Sequence, residues 1–239
     1  MTVHLAKRAI VMAAGKGTRL LPYTENTPKP LLQVKGQRMI DSIIRALHSR
    51  GIHEIYIVTG YLKEQFETLP QEYPGVTLIH NPYFEKANNI SSLFVARAQL
   101  EDVILMDGDQ LIENEDVLDP VFEGSCYCAF QQQNLRTREW ILELTDGIIT
   151  KCHREGGVAG WQLQSVSFWT KEDALKLQQD LEELFIKERR FDLFWDDIAL
   201  FERPERYRLG IRKVKAGDIL EIDTVEELRA VDAQYDPTK

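Results

Sequence analysis

A short apolar run leads into a glycine-rich turn in the segment Ala9-Ile-Val-Met-Ala-Ala-Gly-Lys-Gly-Thr-Arg-Leu20. Residues 9–14 are continuously apolar and bounded by the turn, which indicates a buried strand. Gly15 and Gly17 then allow the backbone to turn tightly and to direct its N–H groups toward an anion. The segment therefore predicts the first strand of an α/β sheet, with a phosphate-binding turn at its carboxyl end.

Three cations accompany this turn. Lys16 and Arg19 lie inside it, and Lys29 follows within Thr27-Pro-Lys-Pro30. The spacing excludes two other phosphate loops, because no Gly-Lys-Ser/Thr follows four spacers and Leu20 stands where a dinucleotide fingerprint has its third glycine. An ordinary strand-to-helix turn with solvated cations is the alternative, and the second motif around Lys29 argues against it.

The two motifs together resemble the signature of nucleotidyltransferases that activate sugars and alcohol phosphates, Ala-Ala-Gly-x-Gly-x-Arg-Leu followed by Pro-Lys-Pro-Leu. The resemblance implies that Lys29 and Arg19 stabilise a triphosphate or its transition state, while the turn backbone donates to the β- and γ-phosphates. Ala13 and Ala14 leave room for a flat base. Gly60 and the residues near Asn88 could supply the polar groups that distinguish cytosine from uracil. The expected nucleotide-binding residues are Ala13, Ala14, Gly15, Lys16, Gly17, Thr18, Arg19, Lys29, Gly60, Asn88 and Asp107.

Apolar strands alternate with helical segments as far as residue 109, a pattern typical of a parallel sheet covered on both faces. The predicted elements are strands at 8–13, 54–59, 76–80 and 103–107 and helices at 39–50, 61–69 and 89–100. We predict an α/β fold in which a Rossmann-like, mostly parallel sheet is flanked by helices and carries a small inserted β-hairpin lobe. One nucleotidyltransferase domain should span residues 1–239, with a nucleotide-binding half at about 1–110 and an acceptor-binding half at about 111–239.

Hairpin and capping signals mark the second half. Asp146-Gly147 favours a two-residue turn between two apolar runs. Thr170 is expected to cap a helix that reaches about residue 189, and Thr224 with Glu227 matches a capping box. Strands are predicted at 161–169 and 208–214.

Composition narrows the class of protein. The formal net charge of −9 disfavours nucleic acid as a partner, because a phosphate backbone requires a basic surface. No apolar run is long enough for a membrane span, and the N-terminus lacks a signal-peptide core, so we expect a cytoplasmic protein. The three cysteines, Cys126, Cys128 and Cys152, are expected in strands in a reducing compartment.

Two acidic positions are candidates for a magnesium site, because nucleotidyl transfer needs charge neutralisation on the α-phosphate and on pyrophosphate. Asp107-Gly-Asp109 follows a buried strand, at the edge of the sheet where ligands bind. We expect Asp109 to ligate Mg²⁺ directly and Asp107 to act through water. The resemblance adds Asp223, which in that family closes the metal site from the other side. The alternatives are a plain turn at 107–109 and an acid favoured by a helix N-terminus at 223.

The acceptor half concentrates aromatic residues beside acids, and all four tryptophans lie between 140 and 195. Aromatic faces with a carboxylate bind a quaternary ammonium. The segments 139–140, 167–169 and 191–197, with 61–66 and 88–89, resemble bacterial CTP:phosphocholine cytidylyltransferases, and the resemblance extends over about residues 8–232. It implies Mg²⁺-dependent transfer of CMP from CTP to phosphocholine, which gives CDP-choline and pyrophosphate.

On this resemblance, Trp140, Phe194 and Trp195 are walls of a choline cage, and Asp192 supplies the opposing charge. Phe194 stands where relatives often carry Tyr, so a phenol hydroxyl is absent. The alternative is that the tryptophans are core residues of the lobe. The acceptor phosphate oxygen is already anionic, so we expect in-line attack on the α-phosphate without a general base.

Other functions remain open from the sequence. The acceptor could be 2-aminoethylphosphonate or phosphoethanolamine, since a primary ammonium favours hydrogen-bond acceptors over aromatic faces. A sugar-1-phosphate nucleotidyltransferase is a further enzyme alternative, and a regulatory nucleotide- or choline-binding module is the non-enzyme one. The segment Tyr235-Asp-Pro-Thr-Lys239 resembles the start of a linker, so the chain could be one domain of a larger bifunctional protein with, for example, a choline kinase.

Overall fold

The computed structural model describes residues 2–233 and 235, without the side chains of residues 134 and 135. Its strands lie mainly in one central sheet. In chain order they are β1 His4–Leu5, β2 Arg8–Ala13, β3 Gln33–Val34, β4 Gln37–Arg38, β5 Glu54–Thr59, β6 Val76–His80, β7 Val103–Asp107, β8 Gln110–Ile112, β9 Val121–Phe122, β10 Cys126–Thr137, β11 Ile141–Thr145, β12 Ile148–His153, β13 Gly157–Trp169, β14 Gly210–Lys213 and β15 Ile219–Glu221.

The central sheet has nine strands in the order β10-β14-β12-β11-β13-β7-β2-β5-β6. Strands β7, β2, β5 and β6 are parallel to one another, and β13 continues the sheet antiparallel to β7. These four parallel strands have the bounds predicted from the sequence, and the α/β fold class is confirmed. The second half extends the same sheet mainly with antiparallel strands, and β10 and β14 are parallel neighbours at its far edge.

The helices are α1 Met39–Ser49, α2 Leu69–Glu72, α3 Ile90–Ala96, α4 Lys171–Glu182 and α5 Val225–Val231. The short 3₁₀ turns are Thr18–Leu20, Lys29–Leu31, Lys63–Phe66, Arg97–Gln99, Glu115–Leu118 and Pro204–Arg206, and π-helical turns span Glu183–Lys187 and Ile198–Glu202. The helix predicted over residues 61–69 is wrong in form. Leu62 has a positive φ of 46°, which interrupts helical geometry and leaves a 3₁₀ turn followed by α2.

Local signals in the second half are confirmed. Asp146 and Gly147 both have positive φ, of 50° and 78°, which matches a primed turn between β11 and β12. The Thr170 hydroxyl accepts from the backbone N–H of Asp173 at the start of α4. Thr224 and Glu227 form the predicted capping box at the start of α5. The strand predicted at 208–214 is shorter, at Gly210–Lys213.

Apolar clusters cover both faces of the sheet. The larger one packs α3 and α4 against β2, β7 and the strands of the second half. The other packs α1 against the opposite face. The three cysteines are buried and unbonded to one another, with Cys126 and Cys128 in β10 and Cys152 in β12, as predicted.

Over residues 2–233 and 235, no helix combines the length and apolar character needed to cross a bilayer. Of the predicted linker segment, only Tyr235 is among the described residues, and it packs edge-on against Tyr23 with ring centroids 5.1 Å apart. The division of the chain into one domain stays a prediction.

Candidate active site

The glycine-rich turn follows β2 and packs tightly against the segment that carries Lys29. Gly17 has φ 62°, and a Cβ there would lie 3.0 Å from Lys29 Cβ and 3.1 Å from Thr24 Cγ2. The Thr24 hydroxyl donates to the Gly17 carbonyl at 2.8 Å. A side chain at position 17 would therefore be strained in backbone and in contact, so the glycine allows the turn to approach Lys29.

Lys29 is buried between two carboxylates. Its ammonium donates to Asp109 Oδ2 at 2.5 Å and to Asp223 Oδ1 at 2.6 Å. Burial by itself would lower the pKa of Lys29, but Asp109 and Asp223 outweigh it and the pKa is raised. Arg19 forms a second ion pair with Asp223 Oδ1 at 2.8 Å. The predicted catalytic residues therefore meet at one point.

An acid cluster suited to a metal ion surrounds this point. Oxygens of Asp109, Glu221 and Asp223 all lie within 4.8 Å of one another. Asp109 Oδ1 is buried and has no hydrogen-bond partner in the described part of the chain. An all-oxygen set with a buried, unpartnered oxygen fits Mg²⁺. These residues could hold the predicted ion.

Glu221 was missed by the sequence analysis. It lies on β15, which pairs antiparallel with β8 so that Glu221 is opposite Gln110, beside Asp109. Its pKa is raised well above the usual value, first by burial and then by Asp109 and Asp223. Its place two residues before Asp223 in Glu221-Ile-Asp-Thr224 was the available signal, since alternate residues of an extended segment share a face.

Three cavities adjoin at the acid cluster, and two of them are also lined by residues of the glycine-rich turn. The first, which we call the turn cavity, has about 260 Å³. Its lining consists of Met12, Ala13, Gly15, Gly17, Thr18, Arg19, Lys29, Pro30, Asp109 and Asp223. The second, the acidic cavity, has about 310 Å³ and shares Asp109 and Asp223 with the first. The shared carboxylates therefore stand between these two cavities.

The acidic cavity combines carboxyl groups with two aromatic rings. Its carboxyl groups are those of Asp107, Asp109, Glu139, Asp196, Glu221 and Asp223. The rings of Trp140 and Phe194 lie at 88° to each other with centroids 6.0 Å apart. Asn89, Ser92 and Ser165 add neutral polar groups. Such a lining suits a small organic cation.

Burial raises the pKa of several of these acids. Burial, followed by the charge of Asp109, raises the pKa of Asp107 to about 7, while Trp195 and Ser165 oppose the rise. The pKa of Asp196 is raised well above its usual value by burial and by Asp107. Asp196 Oδ1 is buried without a hydrogen-bond partner in the residues the structure describes. A cation entering the cavity would favour the ionised forms of these groups.

The structure brings most predicted nucleotide residues to these cavities and leaves others outside. Gly60 packs against the backbone of Ala14 and is absent from both linings; a Cβ added to Gly60 would be 2.8 Å from the Ala14 carbonyl oxygen. Lys16 forms an ion pair with Glu85 at 2.8 Å. Asn88 donates its side-chain N–H to the backbone carbonyl of Asp192 at 3.2 Å, away from the lining.

Of the predicted choline-binding residues, two line the acidic cavity and two do not. Trp140 and Phe194 line the acidic cavity. Trp195 is fully buried in the core and stacks on Tyr127, with centroids 6.0 Å apart at 21°. Asp192 is exposed and pairs with Arg190 at 3.1 Å. Asp196, four residues farther on, lines the cavity and was missed, because its burial and orientation depend on packing across the sheet.

The site combines a glycine-rich turn, a buried ammonium and a cluster of carboxylates at the carboxyl edge of a parallel sheet. This combination is typical of enzymes that bind and cleave phosphoanhydrides. A family model described as nucleotidyl transferase matches residues 8–118. The 2-aminoethylphosphonate cytidylyltransferase of Lancefieldella rimae is 37% identical over 95% of this chain and 92% of its own length. The choline-phosphate cytidylyltransferase of Streptococcus pneumoniae is 31% identical over 94% of this chain and 96% of its own. The chain belongs to the nucleotidyl transferase family, as its motifs predicted.

Solved structures agree with this assignment. The CTP:phosphocholine cytidylyltransferase from Streptococcus pneumoniae matches with a TM-score of 0.86 at 32% identity, covering 95% of this chain and 97% of that one. The inositol-1-phosphate CTP transferase from T. maritima matches with a TM-score of 0.76 at 19% identity, covering 94% of this chain and 92% of that one. The second likeness shows the fold alone.

Proposed function

We propose that the protein transfers CMP from CTP to a small phosphate or phosphonate that carries a charged amine, with release of pyrophosphate. The observation that carries the proposal is the Lys29 ammonium between Asp109 and Asp223, at the junction of the turn cavity and the acidic cavity. A nucleotide bound along the glycine turn would place its α-phosphate at this junction. The full-length cytidylyltransferase relatives support cytidine as the base.

The reaction forms one phosphorus–oxygen bond and breaks another. An anionic oxygen of the acceptor attacks the α-phosphorus in line, and the electron pair of the broken bond leaves on pyrophosphate. Lys29 and Arg19 would stabilise the triphosphate and the charge of the transition state, and the N–H groups of the turn would orient the β- and γ-phosphates. Asp109, Asp223 and Glu221 would hold Mg²⁺, which neutralises phosphate charge when bound.

The acidic cavity favours a primary ammonium as the acceptor's cation. Three hydrogen bonds are available from such a group, and the unpartnered oxygen of Asp196 with Glu139 offers acceptors for them. In the described residues, the lining presents two rings rather than a closed aromatic cage. We therefore place 2-aminoethylphosphonate first. Phosphoethanolamine carries the same ammonium.

Phosphocholine is the second candidate. The rings of Trp140 and Phe194 meet at a right angle, which gives a trimethylammonium group two apolar contacts. The choline-phosphate relatives support it. In this alternative Asp196 contributes charge but no hydrogen bond.

Pyrophosphate release tests the proposal. The protein with Mg²⁺ and CTP is given 2-aminoethylphosphonate, phosphoethanolamine, phosphocholine or glucose-1-phosphate, with UTP in parallel. We expect CTP-dependent release with the amine acceptors and the highest kcat/KM for 2-aminoethylphosphonate. Release that depends on glucose-1-phosphate, or on none of the four, would refute the proposed function. The Asp109→Asn variant is the control for contaminating activity and should release no pyrophosphate.

A further inference from the structure

An arginine of this chain stands against the aromatic wall of the acidic cavity. Arg154 Cζ lies 5.1 Å from the centroid of the Trp140 ring and 4.0 Å from that of Phe201. Its Nη2 forms an ion pair with Asp197 Oδ1 at 2.6 Å, and the Asp197 side chain is 1% exposed. Two aromatic rings and a buried carboxylate are the partners that a quaternary ammonium needs. In this protein, Trp140, Phe201 and Asp197 already contact the guanidinium of Arg154.

Arg154 is connected to both rings of the cavity. It contacts Trp140 directly. Through Asp197 it is linked to Phe194, because Asp197 Oδ2 accepts the Phe194 backbone N–H at 2.8 Å. Arg154 follows β12 and Trp140 precedes β11, so the hairpin fixes their separation. The guanidinium does not line the cavity itself, and it acts on a ligand through these neighbours.

A cation already stacked on Trp140 weakens the attraction of this ring for a second one. The guanidinium occupies part of the ring's negative quadrupole and adds a positive charge near the cavity. A trimethylammonium group depends on aromatic faces because it has no N–H to donate. A primary ammonium that bonds to Asp196 depends on them less. The guanidinium therefore lowers the affinity for a quaternary amine more than the affinity for a primary one.

We propose that Arg154 is a specificity-determining positioning residue, which lowers the affinity of the acidic cavity for quaternary ammonium groups relative to primary ones. The proposal rests on the proposed function, since it concerns the amine end of the acceptor. It assigns to Arg154 an effect on discrimination and none on the chemical step. Removing its charge should therefore act on KM for phosphocholine and leave kcat within about twofold.

Two substitutions separate the charge of Arg154 from its bulk. Arg154→Met keeps an unbranched chain without charge, and Arg154→Lys keeps the charge. We expect Arg154→Met to raise the ratio of kcat/KM for phosphocholine over 2-aminoethylphosphonate about tenfold, and Arg154→Lys to change it less than about threefold. Arg97→Met is a matched control, because Arg97 stacks on Phe94 at 4.1 Å and pairs with Glu182 outside the cavity. Its ratio should equal that of the wild type.

Equilibrium binding supplies a readout that does not depend on turnover. Tetramethylammonium binding is followed by tryptophan fluorescence, and we expect a dissociation constant about tenfold lower in Arg154→Met. If loss of the ion pair prevents folding, the double variant Arg154→Met with Asp197→Asn removes both charges and, because the Trp140 ring is still freed, should shift the dissociation constant in the same direction. An unchanged ratio and unchanged tetramethylammonium binding in the Met variants would overturn the proposal, as would equal shifts in Met and Lys. This result can be told apart from failure of the proposed function. In that case the wild type releases no pyrophosphate, and the tetramethylammonium binding of the variants can still be compared.

Discussion

Replacement of Lys29 by Met tests the charge balance on which the site is built. Methionine is similar in length, so Lys29→Met removes the ammonium with little loss of volume. Asp109 and Asp223 then face each other without the cation that bonds to both at 2.5 and 2.6 Å. We expect a lower free energy of unfolding in the absence of divalent metal and loss of nucleotidyl transfer.

The size of the effect follows from burial. The Lys29 side chain is 7% exposed, and breaking a buried ion pair on one side typically costs about 3–5 kcal/mol. For a chain of this size that corresponds to a fall in Tm of roughly 6–20 °C. Lys35→Met is the matched control, because Lys35 and its partner Glu113 are both exposed, at 45% and 41%. Its cost should be about 0–1 kcal/mol.

Thermal unfolding with increasing Mg²⁺ measures both effects. In Lys29→Met the added ion binds the two freed carboxylates, so Tm should recover much of its loss. The wild-type Tm should rise less, because Mg²⁺ must compete with the Lys29 ammonium for the same oxygens. A Tm of Lys29→Met within about 2 °C of the control variant, or equal Mg²⁺ responses in the two proteins, would show that these carboxylates are not a metal site balanced by Lys29.

Three further predictions concern other parts of the site. Asp196→Asn should raise KM for a primary-amine acceptor about tenfold with little change in KM for CTP; steady-state kinetics showing equal effects on both substrates would remove Asp196 from the acceptor site. Burial and the charge of Asp109 raise the pKa of Asp107 from 3.8 to about 7 in the fold, so the free energy of unfolding without ligands should fall as the pH rises through this window. Chemical denaturation should show a flatter pH profile for Asp107→Asn, and an identical profile would contradict the assignment. Gly60→Ala should cost about 1–3 kcal/mol, since its Cβ would lie 2.8 Å from backbone and ring atoms, whereas Gly15→Ala, with no described heavy atom within 4 Å, should be close to neutral in the same unfolding assay.

Local sequence patterns were sufficient for much of the fold. The four parallel strands were predicted with their final bounds because each is a short apolar run ended by polar or turn residues. Asp146-Gly147 and the Thr224–Glu227 capping box were predictable because their geometry depends on residues at most three positions apart. The segment 61–69 was mispredicted because its helical pattern does not reveal the left-handed conformation of Leu62.

The sequence by itself determined the fold class, and it placed the glycine-rich turn and Asp109 at the common carboxyl edge of the parallel strands. Lys29 came from its motif and Asp223 from the family resemblance, since Asp223 follows β15, which pairs antiparallel with β8 outside the central sheet. Tertiary structure decided which aromatic residues line the acidic cavity. Adjacent residues Phe194 and Trp195 are both aromatic, yet one lines the cavity and the other is buried in the core. In an irregular segment such as 191–197, no repeat assigns a residue to one face, so contacts with Tyr127 of β10, Arg154 and Ile90 of α3 determine which side chain reaches the cavity.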